Sequence, residues 1–379
     1  MLPMLSQKLL AQWPTLPLKR PKPGQLHFLG MRTETANKYA IFLGFADQER
    51  APCLVMKIAR KPPQESGLHR EWDILNHFQQ PGFIWINGSI PNPVLWAEMN
   101  GANILVTTAP KAKPFEPSLN SAASHFASVT NWLEQLAQFT RTTSPPSVIH
   151  QGLTSMATQL FCLFKLSNEE MLVIENWKAA CLKTFEHDRI DFFAAHCNLH
   201  YRNIWLQPED MTIVNWEQGE LTCLPLQDIF TFLTTYRFPA TNRVSKETFL
   251  RAFQVTYLAD NPYSDLVSKT IIHYCQSLNI PLEAVEAYFG LFLARAALQE
   301  YNQLLAATQR GYLPLLKNPD TLKQPHQQAI KEQLWINLLR LMIQERRCFK
   351  PATLPKVWGQ LQPIPVQKSL SAEQPQVSS

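Results

Sequence analysis

The sequence predicts an α+β fold in two lobes, a small β-rich N-lobe followed by a larger helical C-lobe. Three observations predict it. Five strand-like runs and one helical run fill residues 25–108 in the order strand, strand, strand, helix, strand, strand. A Pro-containing segment at 109–114 then breaks the pattern, and beyond it apolar residues recur mainly at helical spacing. At 379 residues the chain can bury a sizeable core in each lobe.

Taken in order, residues 1–24 form an N-terminal extension: a short amphipathic stretch (Leu5, Leu9, Leu10, Trp13), then a Pro-rich basic segment around Lys19–Gly24. Residues 25–110 make the N-lobe. Runs at 25–29 and 38–45 are short and rich in aromatic and aliphatic residues, as strands are. Residues 51–60 alternate, with Leu54, Met56 and Ile58 on one face and Val55, Lys57 and Ala59 on the other. Leu68, Glu71, Trp72, Leu75 and Phe78 follow at helical spacing, and 93–98 and 103–108 read as two more strands. The segment 109–114 serves as the hinge.

Residues 111–350 make the C-lobe. Phe126, Val129, Trp132, Leu133, Leu136 and Phe139 form one helical stripe that ends before Ser144-Pro145-Pro146. A further helical stretch is expected over 153–185, and others near 245–258, 264–278, 282–307 and 327–346. Residues 351–379 contain five prolines with Ser and Gln and read as a loosely ordered tail.

The composition, 45% hydrophobic and 17% charged, is that of a globular protein, and no run of eighteen apolar residues is present to span a bilayer. The N-terminus lacks the features of a signal peptide. Seven cysteines without paired spacing fit reduced thiols in a cytoplasmic protein. The net charge of +5 is uneven: residues 1–115 hold 13 Lys+Arg against 7 Asp+Glu, and the remainder is near neutral. A basic first lobe suits an anionic ligand such as a nucleotide. No dense Lys/Arg block with interleaved aromatics points to nucleic acid.

The chemistry concentrates in His196-Cys197-Asn198-Leu199-His200-Tyr201-Arg202-Asn203-Ile204-Trp205, followed by Thr212-Ile213-Val214-Asn215-Trp216-Glu217. This resembles the catalytic loop and metal-binding strand of the aminoglycoside phosphotransferase and choline kinase family, whose patterns run H-x-D-x-x-x-x-N and I-D-W/F. The spacing from His196 to Asn203 fits. Both aspartates of the pattern are asparagines here, Asn198 and Asn215. The resemblance covers roughly residues 25–300 and implies a protein-kinase-like fold, with ATP and Mg²⁺ between the lobes and a small-molecule acceptor against the C-lobe helices.

Phosphoryl transfer needs the phosphates held, metal charge supplied and the attacking hydroxyl aligned. The resemblance implies that Lys57 holds phosphate and pairs with a helix glutamate; Glu71 fits that place, with Glu65 as the alternative. The phosphate-covering turn would lie at 30–37, where Thr33, Thr35 and Asn37 are candidate donors. With one glycine, that segment reads equally as an ordinary hairpin loop. His196 organises the loop backbone. Asn198 stands in the place of the catalytic base, where its amide can hydrogen-bond a hydroxyl without removing its proton. Asn203 and Asn215 occupy the metal-ligand positions, and Asn215 brings an oxygen without charge. Asp228 matches the aspartate that braces the loop. If the strand continues past Asn215, Glu217 points the same way and supplies part of the missing charge. Cys197 and His200 alone do not make a zinc site.

The resulting expectation is a nucleotide- or ligand-binding pseudokinase with impaired phosphoryl transfer, with a protein partner as a further candidate ligand. The alternative is an active ATP-dependent phosphotransferase acting on a hydroxyl of a non-aminoglycoside metabolite, with Glu217 compensating at the metal site. A near-neutral C-lobe does not suit a polycationic aminoglycoside.

Overall fold

The computed structural model describes residues 2–345 except 19, 32–38, 61–66, 87, 143–145, 188–190, 207–210, 239–244 and 310–332. The N-lobe is one antiparallel sheet of β1 (Leu26–Met31), β2 (Tyr39–Ala46), β3 (Leu54–Ala59), β4 (Pro93–Met99) and β5 (Ala102–Thr108), in the spatial order β1-β2-β3-β5-β4. Alternation along β3 decides what covers each face. Leu54, Met56 and Ile58 pack on Leu5, Leu9 and Trp13, so helix α1 (Leu2–Gln12) and the turn after it form part of the N-lobe core. Ala59, on the opposite face, packs with Leu105 of β5 and Leu68 of α2 (Gly67–His77). Helix α2 buries Leu68, Glu71, Ile74 and Leu75, one stripe at helical spacing. A charged residue inside that stripe needs a partner in the core.

The chain crosses to the C-lobe after β5. Ala109 N–H donates to Cys53 O, and β6 (Lys113–Pro114) pairs with β8 (Ile204–Leu206), which forms a hairpin with β9 (Met211–Ile213). The segment expected to be the hinge is thus tied to the N-lobe at one end and to the catalytic-loop strand at the other. A second small pair joins β7 (Phe193–Ala195) to β10 (Glu220–Cys223).

Helices make up the rest of the C-lobe: α3 (Ala122–Thr140), α4 (Pro146–Phe164), α5 (Asn168–His187), α6 (Gln227–Thr235), α7 (Lys246–Phe253), α8 (Pro262–Ser277), α9 (Val285–Gln309) and α10 (Leu334–Glu345). Every residue of α6 is buried, which makes it the centre of the lobe. Helices α5 and α9 approach so closely that a Cβ on Gly290 would lie 2.3 Å from the Trp177 ring. No helix among the described residues is long and apolar enough to cross a membrane.

Three expectations need correction. The stretch 153–185 is two helices, broken where Lys165 takes φ +48° and restarted by a reciprocal Ser167/Glu170 cap. Phe139 does not join the α3 stripe; it is 49% exposed and stacks on Trp85. Strand β9 stops at Ile213, two residues before Asn215. The tail 351–379 lies outside the described residues.

Candidate active site

Lys57 projects from the middle of β3 and meets Glu71 of α2, with Nζ 2.8 and 2.7 Å from the two carboxylate oxygens. Both residues are buried, at 7% and 2% exposure. Glu71 Oε1 also accepts from Trp216 N–H at 3.3 Å. One carboxylate therefore joins the N-lobe lysine to the C-lobe segment that carries Asn215.

Trp216 is fully buried and fixes that segment. Its indole N–H donates to Ile213 O at 2.9 Å, and its ring packs edge-on against Phe78 and His196, with centroids 5.3 and 4.8 Å away. The turn needed to bring Trp216 inward falls on Asn215, at φ 67° and ψ 56°, a left-handed conformation that asparagine tolerates well. The Asn215 amide then faces Asn203. Asn215 Nδ2 donates to Asn203 Oδ1 at 2.7 Å, and Asn203 Nδ2 donates to Asn198 O at 2.8 Å. The side chains of Asn215 and Asn203 and the backbone carbonyl of Asn198 thus form one neutral hydrogen-bonded chain.

His196 is fully buried, with Nε2 2.9 Å from Val214 O. Burial pushes its imidazole down to about 4, so it is neutral near neutral pH and donates from Nε2. It ties the loop at 196–203 to the segment after β9. Asp228, in the first turn of α6, accepts from His196 N–H at 2.6 Å and Cys197 N–H at 2.8 Å. Burial pushes the Asp228 carboxyl up to about 7, against the opposing pull of those two N–H donors.

The strand on which the expected direction of Glu217 depended ends at Ile213. With β9 ended and Asn215 left-handed, the strand alternation that would aim both side chains the same way is lost. Glu217 sits in a 3₁₀ turn against the start of α2, where a Cβ on Gly67 would be 2.9 Å from Glu217 Cβ and 3.3 Å from its carboxylate. A carboxylate there suits the helix N-terminus. Its charge also raises the basicity of His196, while that of Lys57 lowers it. Thr33, Thr35, Asn37 and Glu65 lie outside the described residues.

Beside Asn198 a pocket of about 210 Å³ opens, lined by Gln218, Gln227, Gln299, Gln303, Phe292 and Trp335 among others. Glu300, the one acid in its lining, spends its two oxygens on Leu334 N–H and Trp335 N–H at the start of α10. These glutamines come from segments far apart in the chain and carry no local signature.

No protein-family model matches the chain, and no curated protein sequence matches it. Solved structures do. The chain is similar to a thermostable mutant of aminoglycoside phosphotransferase APH(4)-Ia in ternary complex with ADP and hygromycin B, at TM-score 0.48 and 8% identity, covering 90% of this chain and 98% of that one. It is similar to ADP-bound aminoglycoside phosphotransferase APH(2'')-Ib, at TM-score 0.44 and 13% identity over 83% and 95% of the two chains. It is also similar to aminoglycoside phosphotransferase APH(3'')-Id from Streptomyces rimosus ATCC10970, at TM-score 0.43 and 12% identity over 75% and 95%.

Proposed function

We propose that this protein is an aminoglycoside-phosphotransferase-like pseudokinase that binds a nucleotide between its lobes and transfers phosphate feebly. The observation that carries this reading is the Asn203–Asn215 amide pair, 2.7 Å from donor to acceptor, in a site whose Lys57–Glu71 ion pair is intact. A buried lysine ammonium offers charge to phosphate oxygens. Mg²⁺ favours carboxylates together with phosphates. Here the ligand positions offer two neutral amides, and Asn203 Oδ1 already accepts from its neighbour. These residues fit Mg²⁺ poorly.

The other side chains support positioning without catalysis. Asn198 can hydrogen-bond a hydroxyl but cannot take its proton near neutral pH. Asp228 and His196 hold the loop in shape. The pocket beside Asn198, rich in glutamine amides and aromatic rings, suits an uncharged hydroxylated ligand better than a polycation.

A second reading, an active kinase for a hydroxyl of a non-aminoglycoside metabolite, rests on Glu217, whose charge is felt at His196. A thermal-shift titration with ATP, with and without Mg²⁺ or Mn²⁺, separates the cases. Binding at a hundredfold excess over Kd stabilises by about 2.7 kcal/mol. The pseudokinase reading expects a similar shift with and without metal. No shift in any condition would overturn nucleotide binding, and a large metal dependence with turnover at ordinary enzyme rates would favour the active kinase.

A further inference from the structure

Next to Asn198 lies a cluster with no part in nucleotide binding. Cys197 of the catalytic loop and Cys223 at the end of β10 place their sulfurs 3.7 Å apart, both buried. Arg295 of α9 reaches all of the cluster: its guanidinium lies 3.1 Å from Cys223 Sγ, 3.6 Å from Cys197 Sγ and 2.6 Å from Glu220 Oε1. Cys197, Glu220 and Cys223 offer donor atoms within 4.8 Å of one another, as metal ligands do. The guanidinium already donates to all three and takes the place a cation would fill. The chemistry left is that of two thiols in contact beside a fixed positive charge.

We propose that Cys197 and Cys223 form a reversible disulfide that clamps the catalytic loop to β10. The sulfurs need to close by roughly 1.7 Å to reach a bond of about 2.05 Å. Cys197 lines the pocket beside Asn198, which gives a small hydroperoxide a route to this residue. The neighbouring Cys223 thiol and burial hold the Cys197 thiol above its ordinary value, and the Arg295 guanidinium opposes that rise.

The oxidation balances as follows. One sulfur attacks the terminal oxygen of a hydroperoxide, the O–O bond breaks, and the alkoxide leaves as alcohol with the thiol proton. The second sulfur then attacks the resulting sulfenic acid, forming the S–S bond, and the displaced hydroxide leaves as water with the second proton. The thiols lose two electrons and the peroxide gains two.

Closing the gap pulls on a loop residue whose N–H is held by Asp228 and whose neighbour Asn198 accepts from Asn203. The grip on nucleotide binding rests on the proposed function; disulfide formation itself does not. The full chain is treated with tert-butyl hydroperoxide, alkylated, digested without reductant and mapped by mass spectrometry. The expected result is a peptide joining Cys197 to Cys223 that dithiothreitol removes, from protein that keeps its melting transition. Folded protein in which exposed Cys162 is oxidised while Cys197 and Cys223 both remain alkylatable would overturn the proposal. In Cys223→Ser the sulfenic acid on Cys197 should instead be trapped by a 1,3-diketone; if that variant fails to fold, the wild-type map still decides. ATP thermal shifts of oxidised and reduced protein are compared, and at least a threefold change in apparent affinity is expected. Equal affinities would show that the bond has no grip on the site, whereas ATP binding in neither state would overturn the nucleotide reading and leave the disulfide standing.

Discussion

Replacing Asn215 by Asp tests whether missing charge, and nothing else, limits the site. Without metal the change removes the Asn215 Nδ2 to Asn203 Oδ1 bond and sets two oxygens against each other at about 2.7 Å. That should destabilise the free protein by about 1–3 kcal/mol. The backbone adds no further strain, because aspartate also tolerates the left-handed conformation at φ 67°. With Mg²⁺ and ATP the sign reverses. A carboxylate about 2.1 Å from a divalent ion gains roughly 4 kcal/mol even in a water-like dielectric. Dehydration of the carboxylate offsets part of that, leaving about 1.4–2.7 kcal/mol, a ten- to hundredfold tightening. Calorimetric titration of ATP with and without Mg²⁺ reads this as a ratio of two dissociation constants. The ratio should be near one for the wild type and about ten to a hundred for Asn215→Asp. A variant that binds ATP with the wild-type ratio would refute the electrostatic explanation, as would a wild type already showing the larger ratio. Adding Asn198→Asp should then raise background ATP hydrolysis above that of the single variant.

Lys57→Ala should abolish ATP binding and, by stranding the buried Glu71 carboxylate, should also cost about 3–5 kcal/mol of stability; unchanged affinity in the folded variant would remove Lys57 as the phosphate holder. Glu71→Ala strands a buried ammonium and takes the acceptor from Trp216 N–H, so chemical denaturation should show a loss of about 3–5 kcal/mol. Glu217→Gln should change ATP affinity less than Lys57→Ala does, since the side chain abuts Gly67 at the start of α2; loss of binding or turnover in this variant would identify it as a relocated ligand. Two buried groups set a pH signature. Asp228, held at about 7 and so above its ordinary value, contributes stability that is full at low pH and lost as pH rises from about 4 to about 7. His196, held at about 4 and so below its ordinary value, works oppositely, and stability is lost as pH falls from about 6.5 toward 4. In the wild type the two oppose each other. Asp228→Asn removes a contribution that opposes that of His196, so its melting temperature should fall more steeply than the wild type's on acidification between about pH 6.5 and pH 4.5; a wild-type slope would contradict these assignments.

Much of the N-lobe is legible in the sequence because alternation is a local signal. The faces of β3 can be read from Leu54, Met56 and Ile58, and a lysine opposite them, followed by a helix with Glu71 in its apolar stripe, announces a buried pair. What covers each face is not local. The stripe Leu5, Leu9, Trp13 shows an amphipathic helix, yet nothing within it says that its partner is β3. The break at Lys165 was legible in principle, since Ser167 and Glu170 have the spacing of a capping box. The shared direction expected of Asn215 and Glu217 depended on the strand continuing: alternation holds only while the strand does, and Asn215 is a residue type suited to ending it with a positive φ. Arg295, 72 residues beyond Cys223, has no sequence signature as its partner.

The arrangement around the asparagines bears on the proposed loss of phosphoryl transfer. A decayed site would be expected to lose its supporting contacts along with its charges. Here the supports are present: Asp228 holds two loop N–H groups, His196 spans to Val214, and Trp216 joins Phe78, His196 and Glu71. The chain from the Asn215 amide through the Asn203 amide to the Asn198 carbonyl is itself fitted, with the Nδ2 of Asn215 and of Asn203 each finding an oxygen, at 2.7 and 2.8 Å. A carboxylate at 215 would meet Asn203 Oδ1 as an acceptor facing an acceptor, a clash that only a cation or a reorientation of Asn203 relieves. The neutral residues thus stabilise without metal the same backbone that a charged site would need metal to hold. Preserved scaffold and missing charge are consistent with a single cause, a site adapted to stay assembled without Mg²⁺, and the Asn215→Asp titration is where that account can fail.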